Sequence, residues 1–151
     1  MSMSRFITLW THPDHAPEPV MEDKLAAAEG VLKARLPSDY REAILEFGLP
    51  RPTIALLDTI CDRNLDLDDV SDFFSPQDIV AHTEDWRDLG LPEELIAFAN
   101  DCMGNLFCFA ADPSNNSEQP VFLWDHDDKS VETVAPSFTR WIENYCSLSA
   151  H

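Results

Sequence analysis

The chain has 151 residues, 44% of them hydrophobic, which suits one domain with one core and excludes a largely disordered chain. Its 28 acids against 10 lysines and arginines leave a formal charge of −18, a field that repels nucleic acid and anionic membrane and attracts cationic partners. No apolar run approaches the roughly 20 residues of a membrane span.

The opening MSMSRFITLWTHPDH carries one Arg, no long apolar core and no small-residue cleavage pattern, so the expected location is the cytoplasm. Residues 1–20 read as an N-terminal segment and linker, because THPDHAPEP (11–19) holds three prolines and no periodicity. His12 and His15 flank Asp14 there, but without a helix or a third ligand they predict no metal site. Residues 21–151 are expected to form a single domain.

A helix is predicted over 21–34, with Leu25, Ala28 and Leu32 as its apolar stripe. In LPSDYREAILEFG, Pro37 stops it, Ser38 is positioned to cap a second helix, and Gly48 ends that helix. The pair is a helix–turn–helix by geometry but not a DNA reader, since its surroundings are acidic and no basic recognition helix follows. TIALLD (53–58) reads as a buried strand. DRNLDLDDVSDFF alternates acid and apolar, with Leu65, Leu67, Val70, Phe73 and Phe74 as the apolar set. Neither Asp62 nor Asp66 starts a calcium loop: the sixth and twelfth positions lack the required Gly and Glu. A third helix is predicted from Ser75 as cap and Pro76 as first residue to a stop at Gly90.

Strand-like pieces follow, LIAFAN, NLFCFA, PVFLWDH and SVETVA, separated by the turn-forming DCMG, DPSNNSEQ and DDK. The last helix starts at APSF with Ser137 as cap, and Phe138, Trp141, Ile142 and Tyr145 give it a core face. Helices first, consecutive strands later and a closing helix predict an α+β domain. Its antiparallel sheet is packed by the N-terminal helix pair, the middle helix and the C-terminal helix.

Asp125, His126, Asp127 and Asp128 invite a metal or acid–base reading, but they fall where a hairpin turns, and turn residues are the better account. Cys61, Cys102, Cys108 and Cys146 form no CxxC pair and read as buried, reduced, inert thiols. There is no GxSxG, HExxH, glycine-rich phosphate loop or dinucleotide fingerprint, and the whole chain has four glycines. No catalytic residue, cofactor or metal is therefore expected. The strongest local signal is charge: residues 58–94 carry twelve acids and two bases. The candidate partner-binding residues are Asp66, Asp68, Asp69, Asp72, Glu84, Asp85 and Asp88.

ARLPSDYREAILEFG and PVFLWDHDDKSVETVAPSFTRWIENY together resemble the SUKH superfamily, the Smi/Knr type, through the LP-x-D-Y step, the P-V-x-x-W-D-H strand and the A-x-S-F helix. The stretch FFSPQDIVAHTEDWRDLGLPEELIAFANDCMGNLFCFA resembles the family's middle. The likeness runs from about residue 21 to 146, and the turns GLPRP and DCMGN depart from the usual glycine-rich forms. The resemblance implies a binding protein rather than an enzyme. Bacterial members are commonly immunity proteins against polymorphic or contact-dependent toxins, often nucleases. Eukaryotic relatives are regulatory scaffolds in cell-wall signalling. The expected partner is thus a cognate toxin with a cationic surface, with a scaffold role as the alternative, and no site residue carries over by motif.

Overall fold

A computed structural model describes residues 2–111 and 119–150, the side chains of 149 and 150 excepted. The helices are α1 (Ser2–Trp10), α2 (Glu22–Leu32), α3 (Ser38–Phe47), α4 (Ile54–Asp62), α5 (Pro76–Arg87) and α6 (Phe138–Cys146). The strands are β1 (Asp72–Phe73), β2 (Leu95–Asn100), β3 (Leu106–Ala110), β4 (Val121–Trp124) and β5 (Val131–Ala135). They form one antiparallel sheet in the order β1-β2-β3-β4-β5, so the fold is α+β as predicted. The expected turn DPSNNSEQ falls almost wholly outside the described residues.

Both faces of the sheet are covered. Leu106 pairs with Trp124, and Phe107 pairs with Leu123. Neighbouring strand residues point to opposite faces, so Trp124 and Phe107 mark the two sides. Trp124 meets Trp86 of α5 at 5.6 Å between rings, and the Thr83 hydroxyl accepts the Ala97 N–H at 3.0 Å. Phe107 meets Trp141 of α6 at 4.8 Å, while Tyr40 of α3 packs on Phe98 and Phe109 at 5.6 and 5.2 Å. All of these rings but the half-buried Trp86 belong to the buried core. Fully burying each is worth about 1.5–3 kcal/mol, more for edge-to-face pairs.

The caps at Ser75 and Ser137 occur as the sequence indicates: their hydroxyls accept the Asp78 and Arg140 N–H groups, each at 3.1 Å. Ser38 does not cap α3. Pro37 occupies that position, and Asp39 instead ties two helix starts together. Its carboxylate accepts the Tyr40 N–H at 2.9 Å and the Thr139 N–H at 3.0 Å.

TIALLD is helix, not strand. Thr53 accepts the Ala55 N–H at 3.4 Å and starts α4, which buries Leu56 and Ile60, one turn apart. A short apolar run carries no period of its own, and the burial at i and i+4 appears only when Ile60 is included.

Within the stretch read as segment and linker, the described residues 2–20 contribute to the same core. Met3, Phe6 and Trp10 of α1 are buried against α6, and the Trp10 indole donates to the Tyr145 carbonyl at 3.0 Å. Glu18 and Leu49 then exchange backbone hydrogen bonds of 2.9 and 2.8 Å. Gly48 makes this approach possible: its φ is +85°, and a Cβ there would stand 2.6 Å from the Glu18 carbonyl oxygen.

Candidate partner-binding site

The seven candidate acids do not form one patch. Glu84 and Asp85 are exposed on α5, and Asp88 is exposed at its end. That helix covers the Trp124 face of the sheet. The loop between α4 and β1 packs instead on the Phe107 face. Along it, Asp66 is exposed and Asp68 is half-buried, and both line a cleft of about 210 Å³ with Glu132, Phe107, Trp141 and Tyr145.

Asp69, next in sequence, turns inward. It is 6% exposed and its carboxylate accepts the Cys102 N–H at 3.1 Å, so it holds the 101–105 turn. Asp72 is exposed on the edge strand β1, and its backbone N–H donates to the Asn100 side chain at 3.1 Å. It lines a second cleft, about 290 Å³, in company with Glu18 and Arg51.

The cleft at Asp66 and Asp68 is built by tertiary structure. Leu123 pairs with Glu132 on β5, which places Glu132 on the Phe107 face of the sheet. The Tyr145 hydroxyl donates to the Asp68 carbonyl at 2.7 Å and fixes the loop over α6. Burial pushes the Asp68 carboxyl above its ordinary range, helped by the charges of Asp101, Glu132, Asp69 and Asp66. Burial also pushes the Tyr145 phenol up, with Asp69 and Asp68 adding to it. Among the described residues, no lysine or arginine forms an ion pair with Asp66, Asp68, Asp69, Asp101 or Glu132.

The sequence reading did not include Glu132 or Asp101. Glu132 alternates with Val131 and Thr133 in an ordinary edge strand, and only the register against β4 shows which face it takes. Asp101 is buried, and one of its carboxylate oxygens accepts the Met103 and Asn105 N–H groups, each at 2.9 Å. An Asp at the start of a turn signals that local role, not its distance from Asp68.

Asp125–Lys129 is a hairpin end. The Asp125 carboxylate accepts the Asp127 and Asp128 N–H groups at 2.8 and 3.3 Å, and Lys129 takes φ +63°. His126 Nδ1 lies 2.8 Å from the Asn105 side-chain oxygen, and Asn105 donates to Asp101 at 3.3 Å, so the two turns brace each other. Among the described residues, no group of His, Cys, Asp or Glu side chains has the arrangement to hold a metal ion. No described helix is long and apolar enough to cross a membrane.

A family model described as the SMI1 / KNR4 family (SUKH-1) matches residues 19–144. No curated protein matches the chain.

Proposed function

The chain belongs to the SMI1 / KNR4 family (SUKH-1), and from that premise we propose that it is a cytoplasmic immunity protein that neutralises a toxin by stoichiometric binding. One observation supports the reading beyond the family: a cluster of carboxylates on the α4–β1 loop and β5, Asp66, Asp68 and Glu132, that forms no ion pair with a lysine or arginine among the described residues. A nuclease must present basic surface to its substrate, and an acidic protein of net charge −18 is suited to cover that surface. Inhibition of this kind requires no catalytic step, cofactor or metal.

The test is co-expression with the product of an adjacent gene that encodes a secreted toxin, followed by purification and measurement of complex mass and of cell survival. The expected result is a stoichiometric complex and protected cells. A chain that leaves cells unprotected, yet purifies with an endogenous regulatory protein, would establish the scaffold role instead.

A further inference from the structure

Within the proposed protein-binding role, we propose that the free edge of β5 takes up an extended segment of the partner as a further antiparallel strand, one that sets a basic residue between two β-branched ones. β5 ends the sheet, with β4 on one side and no strand among the described residues on the other. The register decides which of its main-chain groups face outward. The Asp125 N–H donates to the Ser130 carbonyl at 2.9 Å and closes the hairpin, and bonded and non-bonded pairs alternate from there. Leu123 and Glu132 therefore form a bonded pair. The pairs Trp124–Val131 and Phe122–Thr133 turn their N–H and C=O groups away from each other. On β4 those groups meet β3. On β5 the N–H and C=O groups of Val131 and Thr133 face outward, and among the described residues nothing bonds to them there.

The two edges of the sheet differ. β1 has two residues, its Phe73 is buried, and Pro50 and Pro52 line the cleft beside it. On β5, Val131, Glu132 and Thr133 are exposed in succession, and neither Pro nor Lys interrupts the strand. An edge of this kind is a template for another strand.

Charge decides which strand. A second copy that exchanged bonds between Val131 and Thr133 would set Glu132 directly against its own counterpart, on two chains of net charge −18. A basic residue in that place meets Glu132 instead, with Asp66 and Asp68 lining the same cleft. Its neighbours fall on the opposite face, beside Val131 and Thr133, where β-branched side chains pair well across strands. Main-chain groups thus supply the attachment, and Glu132 supplies the selection.

The experiment titrates the protein with acetyl-Thr-Val-Arg-Val-Thr-amide at low ionic strength and follows backbone amide signals and their hydrogen exchange by NMR. The expected result is saturable binding that slows exchange at Val131 and Thr133, while Glu132, already bonded to Leu123, changes little. The peptide with Glu in place of Arg should bind more weakly. Thr133→Pro removes an outward N–H at an edge position where proline leaves the ladder intact, and should abolish binding. Glu132→Lys should weaken the Arg peptide about tenfold and strengthen the Glu peptide, a test that holds whether or not Thr133→Pro folds. Unchanged exchange at Val131 and Thr133, equal binding of the two peptides, or unaltered binding in Glu132→Lys overturns the inference. So does a dimer of the free protein that Thr133→Pro dissociates. The titration needs no toxin, and a toxin that binds the wild type and Glu132→Lys alike would remove the edge while leaving the immunity reading in place.

Discussion

Asp125–Asp128 and Asp66–Asp69 each pack three aspartates into four residues, and the fold treats them in opposite ways. In the hairpin turn, backbone N–H groups meet the carboxylates: Asp125 accepts from Asp127 and Asp128, and Asp128 accepts from Ser130 at 2.9 Å. The bonds from Ser130 hold the Asp128 carboxyl below its ordinary value. On the α4–β1 loop, Asp68 is partly buried among other carboxylates and its carboxyl is held above that value. Acid clusters of equal density thus serve two ends. One closes a turn on itself, while in the other Asp69 turns inward to the Cys102 N–H, and Asp66 and Asp68 form no ion pair with a lysine or arginine among the described residues.

The largest break in this comparison comes from beneath the cleft. Trp141→Ala removes a ring that touches Phe73, Phe98, Phe107, Phe138 and Tyr145. It should lower unfolding free energy by roughly 3–5 kcal/mol in denaturant titrations. A loss below about 1 kcal/mol would separate the cleft floor from the core.

The two clusters should then differ in the sign of their contribution to stability. Asp125→Ala leaves the turn N–H groups unmet and should cost about 1–2 kcal/mol. Asp66→Asn should change stability by less than about 0.5 kcal/mol, without loss, because it removes repulsion and breaks no bond. Equal losses at the two sites would erase the distinction.

Acid titration sharpens the same contrast. Asp68 has a raised folded pKa, so its charged form opposes folding at neutral pH, and that opposition fades as pH falls through the raised value. Asp128 has a lowered folded pKa, so its stabilisation is present above the ordinary 3.8 and is lost as pH falls through the lowered value. Carboxyl NMR should place the two midpoints on opposite sides of 3.8. Midpoints in the reverse order would contradict the assignment.

The smallest effect concerns Cys102, whose thiol is pushed up to about 11 by burial, with the Asp69 hydrogen bond and the Asp69 and Asp101 charges adding to it. Cys108 and Cys146 are buried as expected from the sequence, but Cys61 and Cys102 are exposed. Iodoacetamide at about pH 8 should alkylate Cys61 first, because the thiolate is the reactive form. Faster labelling at Cys102 would mean that neither burial nor the neighbouring acids hold its thiol up.

The hairpin turn was legible in the sequence because its hydrogen bonds are local and turn residues announce them. The helix caps at Ser75 and Ser137 were legible for the same reason, and so was the aromatic face of α6. The helical state of TIALLD was not, because its partner Ile60 lies beyond the apolar run. Residues 2–10 also escaped: Met3, Phe6 and Trp10 do repeat at helical spacing, but the prolines after them drew the reading toward a linker. The candidate site was legible as composition only. That Asp69 turns inward, that Asp72 belongs to another cleft, and that Glu132 joins Asp66 and Asp68 all depend on packing and strand register.

The central claim is that the unmatched acids, not the self-satisfied ones, meet the partner. The direct measurement is the association rate with the cognate toxin, near 0.1 M and 1 M salt, for three proteins. These are the wild type, the variant Asp66→Asn, Asp68→Asn, Glu132→Gln, and the variant Asp127→Asn, Asp128→Asn. The Debye length falls from about 10 Å to about 3 Å over that range, so steering by the cleft acids should fade with salt. The account predicts that the triple variant associates slowly with a flattened salt dependence, while the double variant behaves as wild type. Equal rates and equal salt slopes for the wild type and the triple variant would contradict it and move the interface elsewhere.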